Sequence, residues 1–177
     1  MNIDEILRVV ERMEKNIQRG LGDTITVAGN SMCAEIANRV INTGKSDTGA
    51  LFSPYSTKQV PAYLYKGRSR SAGGEARVAR AAKERKPISY REFRELNNLP
   101  GAPKNFSFTN DMWSHFGVKK VQGTGGKYVL TIGGTTQNAA NKIEWLSYQE
   151  GKSIIAPTKD ELNTLKQKIV NAIQNGI

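Results

Sequence analysis

The chain has 177 residues, with 26 Lys plus Arg against 16 Asp plus Glu, a net charge of +10. Counting glycine in place of tyrosine, the apolar share is about 44%, just under the 45–50% of ordinary globular chains, which excludes wholesale disorder; a chain of about 150 residues buries roughly 70% of its unfolded surface, so one domain with a real core is expected over 1–177. One cysteine (Cys33) and one histidine (His115) exclude an intramolecular disulfide and a Cys/His zinc site.

The first residues lack the basic start and apolar run of a signal peptide. No apolar stretch approaches the roughly 18 residues that a membrane span requires. The expectation is a soluble protein with no membrane partner. Residues 3–19 read as an amphipathic helix, with Ile3, Ile6, Leu7, Val10, Met13 and Ile17 at helical spacing, ended by Gly20 and Gly22. A second helix is predicted over 30–41, capped by Asn30 or Ser31, with Met32, Cys33, Ile36 and Val40 on one face. Residues 42–49 are loop by composition, and the aromatic, Pro-punctuated 50–66 reads as extended or irregular chain.

The segment GRSRSAGG, Gly67 to Gly74, reads as flexible; Glu75–Lys86 as a helix closed by Pro87. Ser89 followed by Glu92 is a capping box for a short helix over 90–98. Phe116–Val121 and Tyr128–Ile132 flank a Gly-rich turn and predict a β-hairpin, with Phe106 and Phe108 as a candidate start of the same sheet. Residues 138–149 are expected to be helical, packing through Ala140, Ile143, Trp145, Leu146 and Tyr148. Thr158 and Glu161 form a second capping box, opening a terminal helix that turns Leu162, Leu165, Ile169, Val170 and Ile173 inward and ends at Gly176. The fold class is α+β: a small antiparallel sheet, amphipathic helices at both ends, and a basic helical insertion over 66–105.

The charge is concentrated. Between Lys66 and Glu95 stand ten basic residues and four acids, a net +6. Lys66, Arg68, Arg70, Arg77, Arg80, Lys83, Arg85 and Lys86 are the candidate contacts to a partner or to a DNA backbone. A solvated helical face or a contact to an acidic subunit accounts for the same pattern.

Catalytic constellations are sparse. Gly123-Thr124-Gly125-Gly126-Lys127 lacks the first glycine of a P-loop, Val121 standing there, and Tyr128 replaces the Mg²⁺-binding hydroxyl residue. His115 has no sequence-local arrangement that marks it as a base, Cys33 reads as a buried thiol, and the candidate acids Asp47, Asp111, Glu144 and Glu150 lack compact spacing. Neither an enzyme, a cofactor nor a metal is expected.

Two stretches carry a resemblance. FSFTNDMWSHFGV, from Phe106 to Val118, has Thr109, Asn110 and Met112 ahead of a strand; WLSYQEG, from Trp145 through Glu150 to Gly151, is followed by Ile154, Ile155, Ala156, Pro157 and the capped last helix. Both are similar to motifs of the tail-completion and head–tail joining (neck) proteins of tailed bacteriophages. Asn110 stands where that group has glycine, a tolerable change because Asn accepts a left-handed turn. Ser46-Asp47-Thr48-Gly49-Ala50-Leu51 matches the first motif more literally but stands far from a strand pair, so both alternatives stay open. The resemblance implies a virion protein assembled in the host cytoplasm. It would form a homo-oligomeric ring between a portal or adaptor protein and the tail terminator or tube, around a channel that passes genomic DNA. The basic stripe would then face DNA phosphates or dock onto an acidic neighbouring ring. Docking is the expectation, since many phosphate contacts would brake DNA in transit. A small nucleic-acid-binding accessory protein is the alternative.

Overall fold

The structure, a computed structural model, describes residues 3–107, 109–124 and 127–175. Its spine is a single helix, α1 (Ile3–Thr43). Gly20 and Gly22 therefore do not separate two helices, and Asn30 and Ser31 are not caps. A glycine inside a helix costs only about 1 kcal/mol relative to alanine and removes no hydrogen bond, unlike proline. The C-terminal half of α1 recovers that cost through packing: Ile25, Ala28, Met32, Cys33, Ile36 and Val40 are buried at helical spacing. Ile17, expected to face inward, is 63% exposed. The side chains of Ile3, Ile6, Leu7, Val10 and Met13 lie outside the described residues.

The hairpin pairs β3 (Phe116–Thr124) with β4 (Lys127–Gly134), antiparallel, with a bulge between Val118 and Lys120. It lies across α1 where the helix carries Gly29. A Cβ there would stand 2.8 Å from Val118 Cγ2 and 3.0 Å from a Leu130 methyl, so the close crossing needs glycine. Asn30 accepts a hydrogen bond from the Val118 N–H at 3.0 Å, satisfying the backbone beside the bulge. Phe106 is in neither strand; it holds a positive φ of 53° in a loop, while Phe108 lies outside the described residues.

Helix α4 (Asp111–Ser114) is one turn, opened by Asn110 at φ 65°. Helix α5 (Gln137–Glu150) begins at a Thr136 cap and ends at Gly151, whose φ of 65° supplies the left-handed closure. Helix α6 (Lys159–Gln174) opens with the expected Thr158/Glu161 capping box and ends at Asn175; Gly176 lies outside the described residues. The α6 packing face is narrower than expected: Leu165 and Ile169 are half-buried, but Leu162, Val170 and Ile173 are exposed. Its anchor is polar. Arg39 of α1 donates to the Glu161 carboxylate (2.8 and 3.2 Å) and to the Ala156 and Lys45 carbonyls.

Among the described residues, two apolar clusters divide the chain. The main one gathers Val40, Phe52, Met112, Trp113, Ile143 and Ile154. The second belongs to residues 60–97: strands β1 (Val60–Pro61) and β2 (Pro87–Ile88) pair around a 3₁₀ turn (Ala62–Tyr65), α2 (Ala72–Lys83) and α3 (Tyr90–Leu96), enclosing Ala62, Val78, Ala81, Ile88 and Phe93. The basic insertion thus has a core of its own. Helices and two small antiparallel sheets make the architecture α+β.

Candidate partner interface

The basic lobe is built by local caps. Helix α2 starts at Ala72, three residues earlier than expected, because the Ser71 hydroxyl accepts from the Gly74 N–H at 3.1 Å. The preceding GRSRS is tied down rather than loose. Glu75 accepts from the Gly67 N–H at 2.8 Å, and Asn97 accepts from the Arg70 N–H at 3.1 Å. The Gly67 bond foremost, with donors of Ser69, holds the Glu75 carboxyl below its ordinary pKa. Ser89 and Glu92 form the capping box of α3 as expected, and the Ser89 N–H holds the Glu92 carboxyl low in the same way.

All eight candidate cations, Lys66, Arg68, Arg70, Arg77, Arg80, Lys83, Arg85 and Lys86, are exposed. They are not equivalent. Arg77 donates to the Leu96 carbonyl and reaches Asn98, closing the C-terminus of α3, and Arg80 pairs with Glu84 on the surface. Changing Arg80 and Lys83 to Gln is therefore expected to move folding stability by no more than about 0.5 kcal/mol, whereas Arg77→Gln should cost about 1 kcal/mol. Urea midpoints of the two variants check this; equal losses would show that the Arg77 bonds hold nothing. The tenth basic residue, Arg94, departs from the stripe entirely: it is 1% exposed, inside the protein.

Of the neck-type motif residues, Met112 is buried and Thr109 and Asn110 are exposed. Ser46–Leu51 follows the end of α1 after two intervening residues and closes on itself, Ser46 N–H donating to the Ala50 carbonyl at 2.8 Å with Gly49 at φ 80°. Both stretches place a left-handed residue after a threonine. In the C-terminal motif, Glu150 is the fixed point: its side chain is 1% exposed, pairs with Lys104, and accepts from the Ser53 N–H and hydroxyl. Pro157 is half-buried and precedes the α6 cap. Trp145 and Tyr148 do not pack as expected; they are 61% and 81% exposed. The buried stripe of α5 runs through Ala139 and Ile143, and Trp145 lies two residues on, about 200° around the wheel.

Burial alone would raise the Glu150 pKa, but the Lys104 ammonium and the two Ser53 donors outweigh it and hold it below the ordinary carboxylate value. A depressed folded pKa stabilises above the unfolded value, near 4.3–4.5, and the contribution is lost as pH falls through the folded pKa. Between about pH 5 and pH 2, Glu150→Gln is thus expected to flatten the acid limb of stability against pH, read by thermal melts. An unchanged slope would mean that the carboxylate is not the linked group.

His115 is half-exposed, with Nδ1 2.9 Å from the Asp111 carbonyl and 3.5 Å from its carboxylate. A carboxylate therefore does stand beside it, but Lys142 pairs with that carboxylate at 2.8 Å. Cys33 is buried, and that burial pushes its thiol up to about 11, away from nucleophilic use at neutral pH. Among the described residues no three His, Cys, Asp or Glu side chains gather as a metal site, and no helix is long and apolar enough to cross a membrane.

Between the two lobes is a cleft lined by Tyr55, Tyr90, Arg94, Lys104, Phe106 and Trp145. The separate sequence segments gave no signal of it. No family model, characterised protein or solved structure matches this chain.

Proposed function

We propose that the chain is a structural, non-catalytic subunit of the head–tail connector of a tailed bacteriophage, assembling with copies of itself into a ring that docks between a portal or adaptor and the tail. The observation that carries this reading is the order of elements. A 41-residue helix is followed by left-handed turns after threonine, a hairpin, a helix closed by Gly151, then Pro157 and a capped last helix. That is the order the neck-protein resemblance implies. Exposed apolar side chains support it: Val27 on α1 is 71% exposed and Ile173 on α6 is 50% exposed, surfaces of the kind that neighbours in an assembly cover.

The basic lobe supports a second reading, an accessory protein that holds nucleic acid by its backbone through the eight exposed cations. Negative-stain images of the purified chain and duplex-DNA titrations separate the two. Rings with weak DNA affinity are the expected result. Micromolar or tighter binding by a monomer at physiological salt would sink the assembly reading, and its salt slope of about −0.9 per neutralised phosphate would count the contacts.

A further inference from the structure

We propose that the cleft between the two lobes seats an aromatic side chain flanked by carboxylates on a partner protein. This deepens the assembly reading and rests on it. The cavity measures about 270 Å³. That is smaller than the roughly 300–1,000 Å³ of cofactor or drug-sized sites and suits one side chain. Tyr55, Tyr90, Phe106, Trp145 and Leu146 line it. Aromatic walls favour an aromatic guest, edge to face or offset.

The charge of the occupant follows from the floor. Lys104 is neutralised by Glu150, whose side chain is 1% exposed. Arg94 is not neutralised: its three hydrogen bonds go to the Pro100 and Ser107 carbonyls and to Asn105 Oδ1, all uncharged. Among the described residues no carboxylate pairs with it, and a guanidinium offers five N–H donors. The Tyr55 ring lies 4.2 Å over the guanidinium carbon. A partner carboxylate is therefore drawn by the field at the cavity mouth rather than by direct contact, and interior surroundings screen that field less than water does. At the mouth, Gln149 and the Ser56 hydroxyl supply neutral donors. Trp145, 61% exposed on the rim, is the type of residue that anchors interfaces, and folding gives it no other task.

The test uses three peptides, acetyl-Glu-Phe-Glu-amide, acetyl-Gln-Phe-Gln-amide and acetyl-Glu-Ala-Glu-amide, titrated into the full chain while the Trp145 indole N–H resonance is followed. The acidic phenylalanine peptide is expected to bind at least about tenfold tighter than either control. Trp145→Ala, which removes the reporter and is therefore read by isothermal calorimetry alongside the parent, should abolish the binding, and Gln149→Glu, an exposed change that leaves the core alone, should erase the preference for acidic flanks. Equal responses to all three peptides, or none at millimolar concentration, overturn the proposal. Negative-stain images of the same preparations keep the two readings apart. Rings without a peptide response overturn the pocket alone, whereas a peptide response without rings retains the pocket and sinks the ring assembly.

Discussion

Replacing Trp113 by alanine is expected to cost about 3–5 kcal/mol of folding stability, and the same change at Trp145 no more than about 0.5 kcal/mol. Trp113 is 6% exposed among Val40, Phe52, Met112, Ile143 and Ile154. Its ring meets Phe116 edge-on at 5.8 Å, and its indole N–H donates to the Asn105 carbonyl at 3.2 Å. Truncation loses the transfer free energy of the indole, leaves a cavity at the junction of α1, α4 and α5, and strands a buried carbonyl. Trp145 offers none of this, since most of its surface is already in water. Urea denaturation of both variants at constant m-value checks the contrast. Comparable losses at the two positions would show that the faces of α5 have been assigned wrongly.

The two tryptophans also show what the sequence could and could not reveal. A capping box is a matter of three residues, so Ser89/Glu92 and Thr158/Glu161 were legible, and both form. The hairpin was legible because alternation and a Gly-rich turn are local too. Which side of a helix meets the core is not local. On α5 the apolar residues Ile143, Trp145, Leu146 and Tyr148 cover most of the wheel, and only the position of α4 and β4 selects Ala139 and Ile143. On α6 the main partner is α1, so Leu162, Val170 and Ile173 stay outside while Glu161 is buried by Arg39, 122 residues away. Gly20 and Gly22 misled for a related reason: helix propensity is a small term, overridden where a long face can pack. The exposed cations were legible from composition; the cleft was not, because its walls come from 55–56, 90–106 and 145–149 and meet only through the tertiary fold.

Arg94 is where charge pattern and structure disagree most, and its removal should be costly. Within a run of ten basic residues it looks like another surface cation, yet it is 1% exposed. Three bonds, of 3.1 Å to Pro100, 2.8 Å to Ser107 and 3.0 Å to Asn105, hold the loop between α3 and α4. Asn105 extends the network: its Oδ1 also accepts from the Tyr55 hydroxyl at 3.0 Å, and that hydroxyl accepts from the Asn105 and Phe106 N–H groups. Arg94→Met keeps most of the apolar volume but takes the donor from two backbone carbonyls, each worth about 1–3 kcal/mol when buried, while Asn105 Oδ1 keeps the Tyr55 hydroxyl and the Ser107 N–H. Relief of the buried charge offsets part of this, so the expected net loss is about 3 kcal/mol. Arg94→Lys should recover little, because one ammonium does not span three acceptors set for a planar fork. Amide hydrogen exchange should place the loss in 97–107, with faster exchange at Phe106 and Ser107 while the β3–β4 hairpin keeps its protection. A variant as stable as the parent, with unchanged exchange in that loop, would mean that the loop stands without the guanidinium.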